Sequence, residues 1–221
     1  MNPRVEVFIG PVGSGKTEVA LNRALSLARD GASVSFIDLD LVDPFFRARE
    51  ARAALEAARI RVVAPGEEWN AVDLPLLIPE VFAALTGDDR IVIDAGGEVS
   101  GALILRQVVH LLPAETAVYL VVNPYRPFTR TPEKIAAVGE ALEEAAGWRI
   151  TALVANPHLR EATTPQIVRD GFEIVREASA RMGLPVAWTA VAAEMLAAVE
   201  LEGQVMPLVF HMLPPWEREV A

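Results

Sequence analysis

Gly10-Pro11-Val12-Gly13-Ser14-Gly15-Lys16-Thr17 fits a loop that binds phosphate groups, because it matches the pattern G-x-x-x-x-G-K-[ST] at every fixed position. The stretch follows an apolar run over residues 5–9 and precedes a helical pattern over residues 18–28. In such a loop the glycines let backbone N–H groups turn toward a phosphate, and the following helix adds its positive dipole end. A glycine-rich surface turn is the alternative, and the order strand, loop, helix favours the phosphate site.

Two side chains of this stretch carry the chemistry of such a loop. Lys16 is expected to place a point charge on the outer phosphates, and Thr17 to offer its hydroxyl to Mg²⁺. Only two of the 20 basic residues are lysines, Lys16 and Lys134. The predicted nucleotide-binding residues of the loop are Gly10, Pro11, Val12, Gly13, Ser14, Gly15, Lys16 and Thr17.

Bulk composition limits the classes of partner. The 221 residues contain no composition break, so we expect a single domain over residues 1–221. A formal charge of −10 argues against nucleic acid, which lysine and arginine would have to neutralise. The absence of cysteine suits a cytoplasmic protein. Charged residues interrupt the apolar runs, so we expect no membrane segment.

Strand and helix patterns alternate along the chain. Continuously apolar strands that alternate with helices indicate βαβ units and a mostly parallel central sheet with helices on both faces. We therefore expect an α/β, three-layer fold of the P-loop NTPase type. The pattern predicts strands over residues 5–9, 33–39, 61–64, 90–94, 116–122, 149–155 and 184–191, and helices over residues 18–28, 45–58, 74–85, 99–112, 132–146, 165–182 and 193–200.

Acidic residues lie at the carboxyl ends of two of these strands. Asp94 comes after Ile91-Val92-Ile93 and before Ala95-Gly96-Gly97. This layout is typical of a carboxylate that holds Mg²⁺. The backbone N–H of Gly97 is then expected to face the γ-phosphate. An Asx turn is the alternative for Asp94. Asp38 and Asp40 are two residues apart, so their side chains share a face and require a cation or water between them, unless one caps a helix.

These stretches together resemble the MinD/ParA-type branch (SIMIBI class) of the P-loop ATPases. The segment Asp38-Leu39-Asp40-Leu41-Val42-Asp43-Pro44-Phe45-Phe46-Arg47-Ala48-Arg49-Glu50 is similar to an uncharacterised bacterial subgroup of that branch. The resemblance implies ATP and Mg²⁺ as cofactors. It implies that Asp40 orients the attacking water, that Asp38 supports Mg²⁺ and that Asp94 is the Walker B residue. Glu98 is the rival for orienting water.

The sequence departs from the pattern of this branch at two places. Dimeric members usually carry a second lysine after the first glycine of the loop, where this chain has Pro11. Arg47 and Arg49 are then candidates for the additional cation, and the alternative is that they are solvent-facing helix residues. Residues 214–219 lack the basic amphipathic pattern of a membrane-targeting tail.

A short pattern occurs twice. Asn123-Pro124 with Thr131-Pro132 and Asn156-Pro157 with Thr164-Pro165 have the same spacing. Asn-Pro is typical of a turn, and Thr-Pro of a helix N-cap followed by proline. The resemblance adds that Asn156 bonds the adenine edge.

The function expected from these features is a Mg²⁺-dependent protein that binds and hydrolyses ATP to drive a conformational or partner-binding switch, as a homodimer or with a protein partner. One alternative is an ATP-dependent transferase or ligase for a small acidic substrate, with Arg47 and Arg49 holding the acid. The other is a nucleotide-binding module with little turnover.

Overall fold

The computed structural model describes residues 3–39, 52–63, 79–96 and 99–212. Within these residues eight strands form one sheet, in the order β3-β2-β4-β1-β5-β6-β7-β8, and each neighbouring pair is parallel. The predicted α/β fold with a parallel sheet is confirmed. The strands are β1 (Val5–Ile9), β2 (Val34–Leu39), β3 (Arg61–Val63), β4 (Arg90–Ala95), β5 (Ala117–Val122), β6 (Ala152–Ala155), β7 (Val186–Ala192) and β8 (Val205–Leu208).

Helices cover both faces of the sheet. They are α1 (Lys16–Arg29), α2 (Pro79–Thr86), α3 (Val99–Val108), α4 (Pro132–Ala146) and α5 (Pro165–Met182), and residues 52–57 are also helical. Short 3-10 turns span Val109–Leu111, Pro127–Thr129, Arg160–Ala162 and Ala193–Ala198.

The strands are apolar on both sides, so each face has its own core. Val7 and Ile9 of β1 pack in one cluster with residues of α2 to α5, and Phe8 packs in the other with residues of α1. This alternation follows from the twofold period of a strand. A fully buried aliphatic side chain such as Ile93 contributes about 1.5–3 kcal/mol.

A buried ion-pair cluster forms around Glu6 in the middle of the sheet. Glu6 of β1 is 0% exposed, and its carboxylate accepts hydrogen bonds from Arg23 of α1 at 2.6 and 2.8 Å and from Arg90 of β4 at 3.1 Å. The Arg23 guanidinium also lies 4.9 Å from the ring centre of Trp188. Because a buried charge is costly without partners, these bonds tie α1 to two central strands.

The sequence pattern missed β8, and two helices differ from the prediction. β8 contains Pro207, which cannot donate to a ladder, and it lies at the sheet edge where proline is tolerated. α3 ends at Val108, before a 3-10 turn, and the helix predicted over residues 193–200 is a 3-10 helix over Ala193–Ala198. The predicted helical residues 45–51 and 74–78 lie outside the described residues.

None of the helices in the described ranges combines the length and the apolar character needed to span a lipid bilayer.

Candidate functional site

The phosphate loop runs from the end of β1 to Lys16, the first residue of α1. Gly10 lies so close to β5 that a Cβ atom on it would be 2.5 Å from the carbonyl oxygen of Val121. Gly15 has φ +84°, and a Cβ on it would be 2.2 Å from Nδ2 of Asn156. The path of the loop therefore requires glycine at both positions, as the motif predicts.

Buried polar groups line this loop. Ser14 Oγ and Thr17 Oγ1 have no hydrogen-bond partner within the described part of the chain. The Lys16 side chain is also buried, with 3% of the residue exposed. Because buried polar atoms in native proteins are nearly always satisfied, this cradle fits an anionic phosphate chain with its cation at the N-terminus of α1.

Asp38 and Asp94 are neighbours on adjacent strands. They are register partners in the parallel pair β2 and β4, whose strands lie about 4.8 Å apart. Phe36 and Val92, two residues earlier, pack in the α1-side core, so both carboxylates point to the same face as α1. Asp94 is 1% exposed and Asp38 is partly exposed. The arrangement brings two acids toward the helix that begins with Lys16 and Thr17.

The donor set fits a cation that is bound together with a nucleotide. No cluster of three or more His, Cys, Asp or Glu that could hold a metal occurs among the residues the structure describes. Mg²⁺ is usually held by one or two carboxylates together with substrate phosphates and water. Thr17, Asp38 and Asp94 would be its protein donors or the supports of its waters.

Asn156 lies against the phosphate loop. It follows β6, its backbone N–H donates to the carbonyl of Val122 at 2.8 Å, and its side-chain Nδ2 donates to the carbonyl of Ser14 at 2.7 Å. Its Oδ1 has no hydrogen-bond partner in the described residues. The structure thus gives Asn156 a contact with the loop backbone that the sequence did not predict.

The structure supports the interpretation of the repeated Thr-Pro pairs as helix caps and of Asn123 as a turn residue. Thr131 accepts a hydrogen bond from the backbone of Lys134, and Thr164 from that of Ile167, so both threonines cap their helices. Asn123 forms a turn in which its Oδ1 accepts the N–H of Tyr125.

The segment after β8 is bound to α1. Asn22 Nδ2 donates to the carbonyl of Val209 and Asn22 Oδ1 accepts the N–H of the same residue, both at 2.9 Å. Glu18 Oε1 accepts the N–H of His211 at 2.7 Å. Burial raises the pKa of Glu18 to about 7, while the hydrogen bonds from His211 and Met212 act in the opposite direction.

Arg126, Glu18 and Asn22 belong to no local sequence motif, and their contacts were not predicted. The Arg126 side chain donates from Nε to the carbonyl of Gly13 at 3.0 Å, directly on the phosphate loop. The only sequence signal was the position of Arg126 soon after a strand, at the edge where ligands bind in α/β sheets.

Several predicted site residues lie outside the described ranges. They are Asp40, Gly97, Glu98, Arg47 and Arg49. Their roles stay predictions.

Comparisons with known proteins show the fold. No protein-family model and no curated protein matches the chain. Solved structures do match: the cell division protein FtsY from Thermotoga maritima is 18% identical with a TM-score of 0.59, over 86% of this chain and 63% of its own. The signal recognition particle receptor FtsY from Elizabethkingia anophelis is 19% identical with a TM-score of 0.59, over 95% and 63%.

A third match is the signal recognition particle 54 kDa protein from Aeropyrum pernix K1 in complex with GDP, 16% identical with a TM-score of 0.54, over 86% of this chain and 41% of its own. The chain thus spans less than two thirds of the length of each of these structures. At such low identity the likeness concerns architecture. Together with the sheet order and the phosphate loop, it shows that this chain has the α/β fold of the P-loop NTPases.

Proposed function

We propose that the chain binds a nucleoside triphosphate with Mg²⁺ and hydrolyses it to switch between two conformations or two partner-binding states. The observation that carries the proposal is the loop over residues 10–17, in which glycines required by close contacts surround buried hydroxyl groups and a buried lysine. The architecture of its structural neighbours supports a place in the SIMIBI class. Within that class, the motif order favours the MinD/ParA-type branch. The length and composition of the chain favour a cytoplasmic protein of one domain.

Each residue then has a distinct task. Lys16 holds the outer phosphates by charge, and the loop N–H groups orient them. Thr17 and Asp94 would hold the cation, and Asp38 would position the water around it. Mg²⁺, when bound, would neutralise charge that develops on the phosphate oxygens. Asp40 orients the attacking water, and the Gly97 N–H faces the γ-phosphate.

We propose adenine as the base. The guanine motif Asn-Lys-x-Asp does not occur in the sequence, since proline follows both Asn123 and Asn156. The resemblance assigns Asn156 to the edge of the base, but its amide oxygen does not select adenine over guanine, because both bases carry an exocyclic amino group. Guanine is the second candidate, favoured by the GDP in the Aeropyrum pernix structure.

A competition assay tests the base and the reaction together. The chain is incubated with Mg²⁺ and γ-labelled ATP, with water as the only other reactant, and release of the labelled phosphate is compared with that in the presence of an equal concentration of unlabelled GTP. Release of phosphate into water supports the switch over the ligase alternative, and insensitivity to GTP supports adenine. Strong inhibition by GTP would assign the site to guanine nucleotides, and no turnover of either nucleotide would contradict the hydrolase.

A homodimer or another protein is the proposed partner of the switch. Pro11 replaces the second lysine of dimeric relatives, so any partner would have to supply or position charge by another route.

A further inference from the structure

Arg126 is placed beside the phosphate loop by the order of the strands. β5 pairs directly with β1, and the chain after β5 passes the tip of the loop. A Cβ atom on Gly13 would lie 3.2 Å from Nε of Arg126 and 3.6 Å from its Cζ. The guanidinium therefore covers the Gly13 side of the loop, and its Nε–H bonds the Gly13 carbonyl.

The backbone that carries Arg126 is tightly bonded. The Arg126 N–H donates to the carbonyl of Asn123 at 3.1 Å, and Nδ2 of Asn123 donates to the carbonyl of His158 at 2.8 Å. The hydroxyl of Tyr125 donates to the carbonyl of Ile167 on α5 at 2.6 Å. Such a support reduces the entropy lost when the side chain binds a ligand.

The guanidinium keeps most of its donors available. An arginine has five N–H donors in a planar fork. In the described residues the Nε–H of Arg126 is bonded to Gly13, whereas its two Nη groups make no hydrogen bond and no carboxylate forms an ion pair with it. Arg23 and Arg90, by contrast, are paired with Glu6. Arg126 is also partly exposed, so an anion can reach it.

The charge of the proposed ligand requires more than one cation. A nucleoside triphosphate concentrates several negative charges, and the loop supplies Lys16, with Pro11 where dimeric relatives carry a second lysine. A planar guanidinium suits bidentate contact with phosphate oxygens. We propose that Arg126 is a second cationic residue of the phosphate site, held at the loop tip by its bond to Gly13 and binding the phosphate chain through its Nη groups.

This inference rests on the proposed nucleotide function, and it assigns to a described residue the role that the sequence had suggested for Arg47 or Arg49. Two possible roles of Arg126 differ in the part of the side chain that they need. A residue that only braces the Gly13 carbonyl needs its Nε–H, whereas a phosphate ligand needs its positive charge.

The test is calorimetric titration of wild type, Arg126→Gln and Arg126→Lys with inorganic tripolyphosphate and with non-hydrolysable ATP and GTP analogues, each with Mg²⁺. Arg126→Gln is expected to bind about tenfold more weakly, and Arg126→Lys to regain most of the loss. The affinity of Arg126→Gln is expected to fall less steeply with salt, because one screened charge contact is gone. Arg130→Gln, an exposed arginine of the same segment, is the matched control and should bind like wild type.

Thermal unfolding without ligand checks that each variant folds, and if Arg126→Gln does not, Arg126→Met, which also removes the charge, takes its place in the same titrations. The inference is overturned if Arg126→Gln binds within about twofold of wild type, or if the Gln and Lys variants lose affinity equally with unchanged salt dependence. Wild type that binds at least one of the three probes while Arg126→Gln is unaffected overturns the role of Arg126 alone. Wild type that binds none of them overturns the proposed function as well.

Discussion

Asp94 and Asp40 differ in how they would serve the reaction. Asp94 is buried and points toward α1 from the centre of the sheet, which suits a permanent role at the cation. Asp40 follows β2 by one residue and is proposed to hold the attacking water. The two roles predict different defects.

We expect Asp94→Ala to raise the Mg²⁺ concentration needed for half-maximal turnover, because it removes a carboxylate near the cation. Asp40→Ala should bind Mg²⁺ and ATP normally but slow hydrolysis by about 10²-fold or more, the range of a lost acid–base or orienting group. Phosphate release measured over a Mg²⁺ titration separates the two. If Glu98→Gln stops turnover and Asp40→Ala does not, Glu98 orients the water.

Local sequence signals predicted the glycine loop, because a phosphate loop needs fixed residue types at fixed spacing. They also placed Asp38 and Asp94 at the carboxyl ends of their strands. They could not predict the bond from Arg126 to Gly13, which joins residues 113 positions apart. They could not predict the bond from Asn156 to Ser14 either, across 142 positions. Such contacts depend on which strands become neighbours, and a local pattern does not contain that information.

At the scale of elements, α1 connects the phosphate loop to the segment after β8. Glu18 lies in its first turn and accepts the N–H of His211, and Asn22 holds Val209 one turn later. Because Glu18 is buried, its pKa is raised from 4.5 to about 7. The folded chain thus holds this proton more tightly than the unfolded chain does.

The raised pKa of Glu18 determines the direction in which the stability of the fold changes with pH. Its protonated form is favoured by folding, so the free energy of unfolding should fall as pH rises from about 4.5 to about 7. Glu18→Gln keeps an oxygen acceptor for His211 but no titrating group. We expect the variant to gain stability over wild type across this window, by up to about 3 kcal/mol above it.

Denaturant unfolding at several pH values checks this expectation. Glu140→Gln, at an exposed position of α4, is the control for the loss of one negative charge. A stability difference between Glu18→Gln and wild type that stays constant from about pH 5 to about pH 8 would show that Glu18 is not the titrating group.

Element types followed from the sequence better than element ends. The caps at Thr131 and Thr164 and the glycines that end α4 and α5 are local signals, and those two helices match the predicted residues. β8 is four residues long and contains proline, so its strand character arises from pairing with β7. Pairing partners override weak local preference.

At the scale of the whole molecule, the sheet brings the ends of β1, β2, β4, β5 and β6 to one edge. Their alternation with helices made a parallel sheet predictable, but not the strand order that sets Arg126 and Asn156 beside the loop. The same edge carries exposed apolar side chains, including Val12 in the loop and Phe128 after β5. A protein partner that covers this edge would meet the nucleotide site directly.

We therefore expect slow hydrolysis by the isolated chain, on the order of 10⁻⁴ to 10⁻² per second as for switch NTPases without an activating partner. The rate per molecule should rise with protein concentration if a second copy activates it. Steady-state turnover measured over a wide range of concentrations tests this, with Arg47→Ala and Arg49→Ala as probes of a charge supplied across the dimer. A fast rate that is independent of concentration and of both arginines would contradict the switch.

Residues 10–17 are proposed to bind the phosphates of a nucleotide. A direct test of this claim is titration calorimetry of Lys16→Ala with Mg²⁺ and a non-hydrolysable triphosphate analogue. The matched control is Lys134→Ala, which removes the other lysine of the chain from an exposed position on α4. We predict that Lys16→Ala weakens binding by about tenfold or more, equivalent to about 1.4 kcal/mol, and that Lys134→Ala binds like wild type. Equal affinities for wild type, Lys16→Ala and Lys134→Ala would contradict the claim.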